Sequence, residues 1–162
     1  MKKIIGFIVA LLLVPVTFGG ETNLFPNNDL GINAFATFQN SQHWGYGIGV
    51  SYYVDRHFGV SVSTSRQDFD FSNDKFFQNL TTVGLFRLPV TANLAPYIAF
   101  GQCWDIVYGK SIPVAGLGVE YRFSKRLGCF VEGSYGFGTW DKWESPKVKD
   151  IGVRGGFRFA FW

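Results

Sequence analysis

Charge is scarce in this chain. Asp, Glu, Lys and Arg make up 17% of its 162 residues, against roughly 25% in an average soluble domain. Histidine and cysteine are rarer still, at two residues each. They offer no ligand set at metal-binding spacing, so neither a metal nor any other cofactor is expected. A helical hydrophobic period is missing throughout the body of the chain. Long apolar runs are missing too: the longest, Ile4 to Phe18, has about 15 residues where a membrane-crossing helix needs about 20. Nor is there an excess of one sign. The net charge of +3 includes Lys2 and Lys3, and the 15 basic residues less these two leave 13 against 12 acidic. That balance is too even for a nucleic-acid partner. What abounds is aromatic side chains, 19% of the chain with 18 Phe, together with 20 Gly. This pairing suits a β-sheet with one face that needs bulk and another that needs space, and the length allows one domain.

The first residues read as an export signal. Lys2 and Lys3 form a positive start, Ile4 to Phe18 an apolar stretch broken by Pro15, and Gly19 and Gly20 a small-residue end. Cleavage is expected to remove 1–19, with Thr17 and Gly19 as the small residues the peptidase reads. Residues 20–29 then form a short periplasmic segment and 30–162 the folded body. No cysteine follows the apolar stretch, so a lipid anchor is not expected. In an exported chain two cysteines invite a disulfide. Cys103 is expected at the outer end of one strand and Cys129 near the start of another, on the opposite side. A bridge needs Cα atoms within about 7 Å, so both are expected to stay free.

After Asp29 the sequence alternates with period two. Trp44, Tyr46, Ile48, Val50, Tyr52 and Val54 share one face, and Gly45, Gly47, Gly49 and Ser51 the other. Phe58 to Ser65, Ala115 to Phe123 and Ile151 to Phe161 repeat the pattern. Eight strands follow, at 30–39, 44–54, 58–67, 79–88, 95–104, 112–123, 127–138 and 150–162. Most run about 10 to 12 residues, about the length a strand tilted about 45° needs to cross hydrocarbon. The connections Asp55–His57, Pro89–Leu94 and Ser124–Arg126 are short, while Asp68–Gln78, Asp105–Ser111 and Thr139–Lys149 are longer and more charged. An all-β, eight-stranded antiparallel up-and-down transmembrane barrel is the expected fold. One face is almost purely aromatic or aliphatic and would be a large sticky patch in water. The other is Gly and Ser with a few charges, which suits the crowded inside of a narrow barrel. Trp44, Tyr53, Phe58, Tyr97, Trp104, Phe123, Phe137, Trp140 and Trp162 are candidates for the two interfacial aromatic girdles.

Several stretches resemble the small outer-membrane barrels typified by OmpA, OmpX and the opacity-type surface antigens. Ala95-Pro-Tyr-Ile-Ala-Phe-Gly101 is similar to that family's Pro-Tyr strand. Gly116-Leu-Gly-Val-Glu-Tyr-Arg-Phe123 resembles its sixth strand and the hairpin after it, and Phe130-Val-Glu-Gly-Ser-Tyr135 its next strand. The resemblance covers about residues 30 to 162. It implies a monomer in the outer membrane, surrounded by lipid and lipopolysaccharide, with both mature termini in the periplasm. The chain closes on an aromatic strand, as substrates of the barrel-insertion machinery and its periplasmic chaperones do. Trp162 adds one residue beyond the alternation that ends on Phe161, a departure from the usual terminal signal.

Alternation turns Glu120, Arg122, Glu132, Arg154 and Arg158 inward. An unpaired ion inside a narrow barrel costs several kcal/mol, so these residues form either a structural ion-pair network or a gate in a narrow pore for ions or very small solutes. The family resemblance supports the gate, since barrels of that kind carry interior Glu/Arg pairs. No catalytic set is found. A lipid-modifying enzyme would need His, Ser and a carboxylate together at the outer rim. His43 lies in the first outer loop beside Ser41 without a nearby carboxylate, and His57 lies in a turn on the other side. Asp68, Asp70 and Asp74 lack the Gly and terminal Glu of a calcium loop. The outer loops 67–78 and 139–149 carry Phe69, Phe71, Phe76, Phe77, Trp140 and Trp143 amid charges. Such mixtures serve recognition, here of host surface molecules, or else belong to the girdle.

Overall fold

A computed structural model of the chain describes residues 24–39, 43–67, 78–106, 109–137 and 150–161. Its strands are β1 (Asp29–Gln39), β2 (His43–Tyr53), β3 (Phe58–Gln67), β4 (Asn79–Arg87), β5 (Leu94–Asp105), β6 (Lys110–Arg122), β7 (Leu127–Gly136) and β8 (Asp150–Phe161). Each pairs antiparallel with its chain neighbour, and β1 pairs with β8, so the sheet closes into a barrel. The expected strands are all present, with ends moved by one or two residues. Val54 falls in a turn, where its N–H donates to Phe58 O at 2.9 Å. The start of β6 moves out to Lys110 because that residue pairs with Asp105. His43 opens β2 opposite Gln39 instead of standing in the loop.

The faces divide as the alternation predicts. Trp44, Ile48, Val50 and Tyr52 point outward while Gly45, Gly47, Gly49 and Ser51 are buried in the lumen. The outward belt runs around the whole barrel, through Ile32, Val60, Phe86, Phe100, Leu117, Val131 and Phe157. Trp44, Phe58, Trp104, Phe123 and Phe137 take outward positions near strand ends. Two of the expected girdle residues do not. Tyr53 and Tyr97 are 2% and 8% exposed and lie inside. Tyr53 is odd-numbered on a strand whose even residues face out, and the same holds for Tyr97 beside Ile98 and Phe100. Trp140 and Trp162 lie outside the described residues.

The end of the barrel where the chain enters is tied by three short turns, each bonded by a side chain three residues upstream of a strand start. Asp55 Oδ1 accepts from the N–H groups of His57 and Phe58 at 2.6 and 2.7 Å. Thr91 Oγ1 accepts from Leu94 N at 3.0 Å, and Ser124 Oγ from Leu127 N at 3.1 Å. Such local bonds close turns without help from distant residues. The two N–H donors hold the Asp55 carboxyl below its usual titration range.

The lumen is packed rather than open. Tyr53, Val83, Leu85, Tyr97 and Ala99 form its apolar centre, joined by Phe35 against Phe130 with ring centroids 6.4 Å apart. Glycine makes room for the rings: a Cβ at Gly118 would strike the Tyr97 ring, and one at Gly47 the Phe35 ring. Cys103 faces this lumen and Cys129 faces out, and both are free thiols.

Candidate functional site

The residues preceding β1 fold across the barrel mouth. Leu24 N donates to Ala92 O at 2.9 Å, and Arg56 N to Asn27 Oδ1 at 3.1 Å. Asn28 then turns the chain into β1 with φ 55°, a left-handed conformation that asparagine tolerates better than most residues. Its side chain accepts from Tyr52 Oη at 3.0 Å. The result tucks Phe25 into the lumen at 2% exposure.

Above Phe25 lies a lower storey of five charged residues from four strands: Asp29, Arg87, Glu120, Arg122 and Arg158. Asp29 is the hub. Its carboxylate meets Arg87 at 3.0 Å, Arg158 at 3.1 Å, and Arg122. Glu120 meets Arg122 Nε at 2.7 Å, with Arg87 and Arg158 at 3.4 and 3.5 Å. Backbone carbonyls take further guanidinium hydrogens. Arg87 Nε donates to Arg56 O at 3.1 Å, and Arg122 Nη1 to Leu24 O and Lys125 O at 3.3 and 3.1 Å. Arg158 donates to Asp29 O at 3.1 Å and to Ser51 Oγ. Aromatic faces complete the shell: the Arg87 guanidinium lies 3.7 Å from the Tyr53 ring centre and 4.8 Å from that of Phe25.

The upper storey is smaller. Glu132 Oε2 accepts from Arg154 Nη2 at 2.8 Å and from Tyr97 Oη at 3.0 Å. Arg154 Nη1 donates to Ser63 Oγ at 3.2 Å, and its guanidinium lies 5.3 Å from the Phe35 ring centre. Glu132 and Arg154 are direct cross-strand partners of β7 and β8, and Glu132 lies beside Gly118 of β6. A chamber of about 30 Å³ separates the storeys. Above Arg154 an outer vestibule of about 70 Å³ is lined by Thr37, Ser65, Asn79, Thr81 and Ser134 among others.

All five inward charges read from the sequence are therefore in the lumen, but they divide between the two storeys. Sequence reasoning missed Asp29, Arg87, Tyr53, Tyr97 and Phe25. Arg87 was legible, since Val83 and Leu85 set the inward face of β4 and Arg87 continues it. Asp29 was not, because it stands where the alternation begins. His57 is a turn residue whose Nδ1 lies 3.0 Å from Arg87 O, so it braces the lower storey from outside. Among the described residues no three His, Cys, Asp or Glu side chains converge as metal ligands. Ser41, Asp68, Asp70, Asp74 and the loop aromatics Phe69, Phe71, Phe76, Phe77, Trp140 and Trp143 lie outside the described residues.

A closed eight-stranded sheet with a greasy exterior and a polar, plugged interior defines the class of small outer-membrane-type β-barrels. Solved structures of that class superpose on it. A barrel from the de novo design of transmembrane β-barrels matches with a TM-score of 0.64 at 19% identity, covering 83% of this chain and 97% of that one. The N-terminal β-barrel domain of Pseudomonas aeruginosa OprF matches at 0.63 and 15% identity, over 83% and 98% of the two chains. Ail, the attachment invasion locus protein of Yersinia pestis, matches at 0.52 and 12%, over 83% and 99%. Identities this low show a shared fold. No family model and no curated protein sequence matches the chain.

Proposed function

We propose that the chain is an integral outer-membrane protein, exported by the general secretory route, and that it serves as a plugged barrel scaffold holding its outer loops at the cell surface. One observation carries this reading: the outward belt is apolar on every strand, while the lumen is crossed by two storeys of paired charge. Hydrocarbon accepts such a belt, and closure leaves no backbone group unpaired in it. Lipid and lipopolysaccharide are then its immediate partners. The barrel-insertion machinery and periplasmic chaperones are its assembly partners. Kinship with the OmpA, OmpX and opacity-type barrels rests on the strand motifs at 95–101, 116–123 and 130–135.

The lumen speaks against the narrow-pore alternative. A path past Glu132 and Arg154 still ends on the lower storey and on Phe25. A non-enzymatic role belongs to the same reading. The test has two parts. Detergent-folded protein should migrate differently on a gel before and after heating, which reports a closed barrel. In planar bilayers, the parent and Glu132→Ala should both be silent. Ohmic steps in the parent that grow in Glu132→Ala would overturn the plugged reading in favour of a pore. Recognition of host surface molecules through loops 67–78 and 139–149 is tested separately, by deleting 139–149 and measuring adhesion.

A further inference from the structure

We infer that the chamber between the two storeys binds a small monovalent anion of halide size. The first observation is a charge imbalance. Below the outer rim, and among the described residues, the lumen holds four guanidiniums, Arg87, Arg122, Arg154 and Arg158, against three carboxylates, Asp29, Glu120 and Glu132. A buried charge without a counter-ion is strongly unfavourable.

The second observation is where the unused donors are. Arg154 Nε and Arg158 Nε are buried without a hydrogen-bond partner, and both residues line the chamber. Arg158 Nε has only a distant ionic contact, 3.5 Å from Glu120 Oε1. Ser51 Oγ already accepts from Asn33 Nδ2 at 3.0 Å and from Arg158. Ser63 Oγ accepts from Arg154 at 3.2 Å. Both hydroxyls keep their own hydrogen to donate, and both stand on the chamber wall with Ser61. Glu120 and Glu132 also reach the wall; both Glu120 oxygens are engaged by Arg122 and Arg87, and Glu132 Oε2 by Arg154 and Tyr97.

The third observation is size. About 30 Å³ admits one or two water-sized occupants, a size that suits a monatomic anion beside Phe35, Leu85 and Phe130. Water needs acceptors as well as donors around it. The surplus positive charge and the two unused guanidinium donors favour a halide over water.

The mature chain, folded in detergent, tests this through its thermal transition. Sodium chloride or bromide is titrated at constant ionic strength against sodium methanesulfonate, whose anion is bulkier and polyatomic. The expected result is a saturable rise in Tm with either halide. Crystals grown in sodium bromide should show an anomalous peak within about 3.5 Å of the two Nε atoms, the reach of a charge-assisted contact to a large anion. Arg154→Gln should abolish the halide response. Glu132→Gln, which adds one net positive charge a few ångströms away, should lower the half-saturating halide concentration at least ~10-fold. Should Arg154→Gln fail to fold, Glu132→Gln and the bromide map still decide. Equal effects of methanesulfonate and halide, bromide peaks at the surface alone, or an unchanged midpoint in Glu132→Gln would each overturn the inference.

Discussion

Asp29 offers the sharpest test of the lumen. Asp29→Asn keeps the shape of the side chain and removes one charge. In the native barrel this fully buried carboxylate meets guanidiniums from β4, β6 and β8. After the change, the lower storey holds three arginines against Glu120 alone. Removing one member of a buried ion pair typically costs about 3–5 kcal/mol, because the partner's charge stays buried without compensation. Backbone carbonyls of Leu24, Arg56 and Lys125 still hold Arg87 and Arg122, so the loss should fall near the lower end, about 3 kcal/mol. With an unfolding slope of about 2 kcal/mol per molar urea, that is a midpoint lowered by about 1.5 M. The assay is urea unfolding from lipid vesicles, followed by tryptophan fluorescence and by the loss of the compact gel form. Adding Arg87→Met should recover part of the deficit, since it removes the surplus charge, and the cycle isolates the coupling. A midpoint within about 0.3 M of the parent would refute the reasoning. It would mean that the guanidiniums draw their compensation from somewhere other than this carboxylate.

Three substitutions and one pH titration probe packing, the mouth and the turns. Gly118→Ala pushes a methyl into the Tyr97 ring and should cost about 1–3 kcal/mol by overpacking, whereas Gly133→Ala, outward-facing with nothing within 4 Å, should be neutral or stabilise by up to about 1 kcal/mol; the same urea assay separates them. Phe25→Ala removes a buried ring from under Arg87 and Arg122 and should cost about 3 kcal/mol, with faster hydrogen exchange at the Leu24 and Arg122 amides, both bonded to the 91–93 turn. Asp55 should titrate below the ordinary carboxylate range in an NMR pH series, with the His57 and Phe58 amides moving at the same midpoint. Because its folded value is lowered, its contribution to the turn is complete above the unfolded value near 3.9 and fades as pH falls through the folded one; amide shifts that move at or above that value would contradict the bonding.

Much of the fold could be read from residues 44–54 alone. Six large side chains alternating with glycine and serine state which face is which, and a period of two admits no third arrangement. The same rule placed Glu120, Arg122, Glu132, Arg154 and Arg158 correctly. It failed where the chemical character of a side chain was allowed to outweigh its parity. Tyr53 and Tyr97 look like girdle residues by type, yet their odd positions send them inward, where the Tyr97 hydroxyl finds Glu132. Asp29 and Phe25 were hidden for a different reason. Neither sits in a repeating pattern, and their burial depends on a crossing segment bonded to two separate turns and to Arg122 of β6. Which charges share a storey was hidden too. That depends on strand stagger around a closed barrel, which sets Arg87 of β4 level with Asp29 of β1 and Arg122 of β6.

The stacking order of the storeys decides what an opening of this lumen would require. Glu132 and Arg154 can part by a side-chain rotation, since the vestibule of about 70 Å³ beside them has room for a swung guanidinium. The lower storey has no such freedom. Each of its arginines also serves a backbone carbonyl, so turning one aside leaves a buried acceptor unsatisfied at about 1–3 kcal/mol, beyond the broken ion pair. Even then Phe25 still fills the mouth, held by the segment whose Leu24 carbonyl Arg122 grips. Ion pairs and N-terminal segment therefore act as one plug, and neither can leave without the other. A conducting state of this barrel would have to release residues 24–28 from the mouth, and an exchange of partners at Glu132 alone would open only the vestibule.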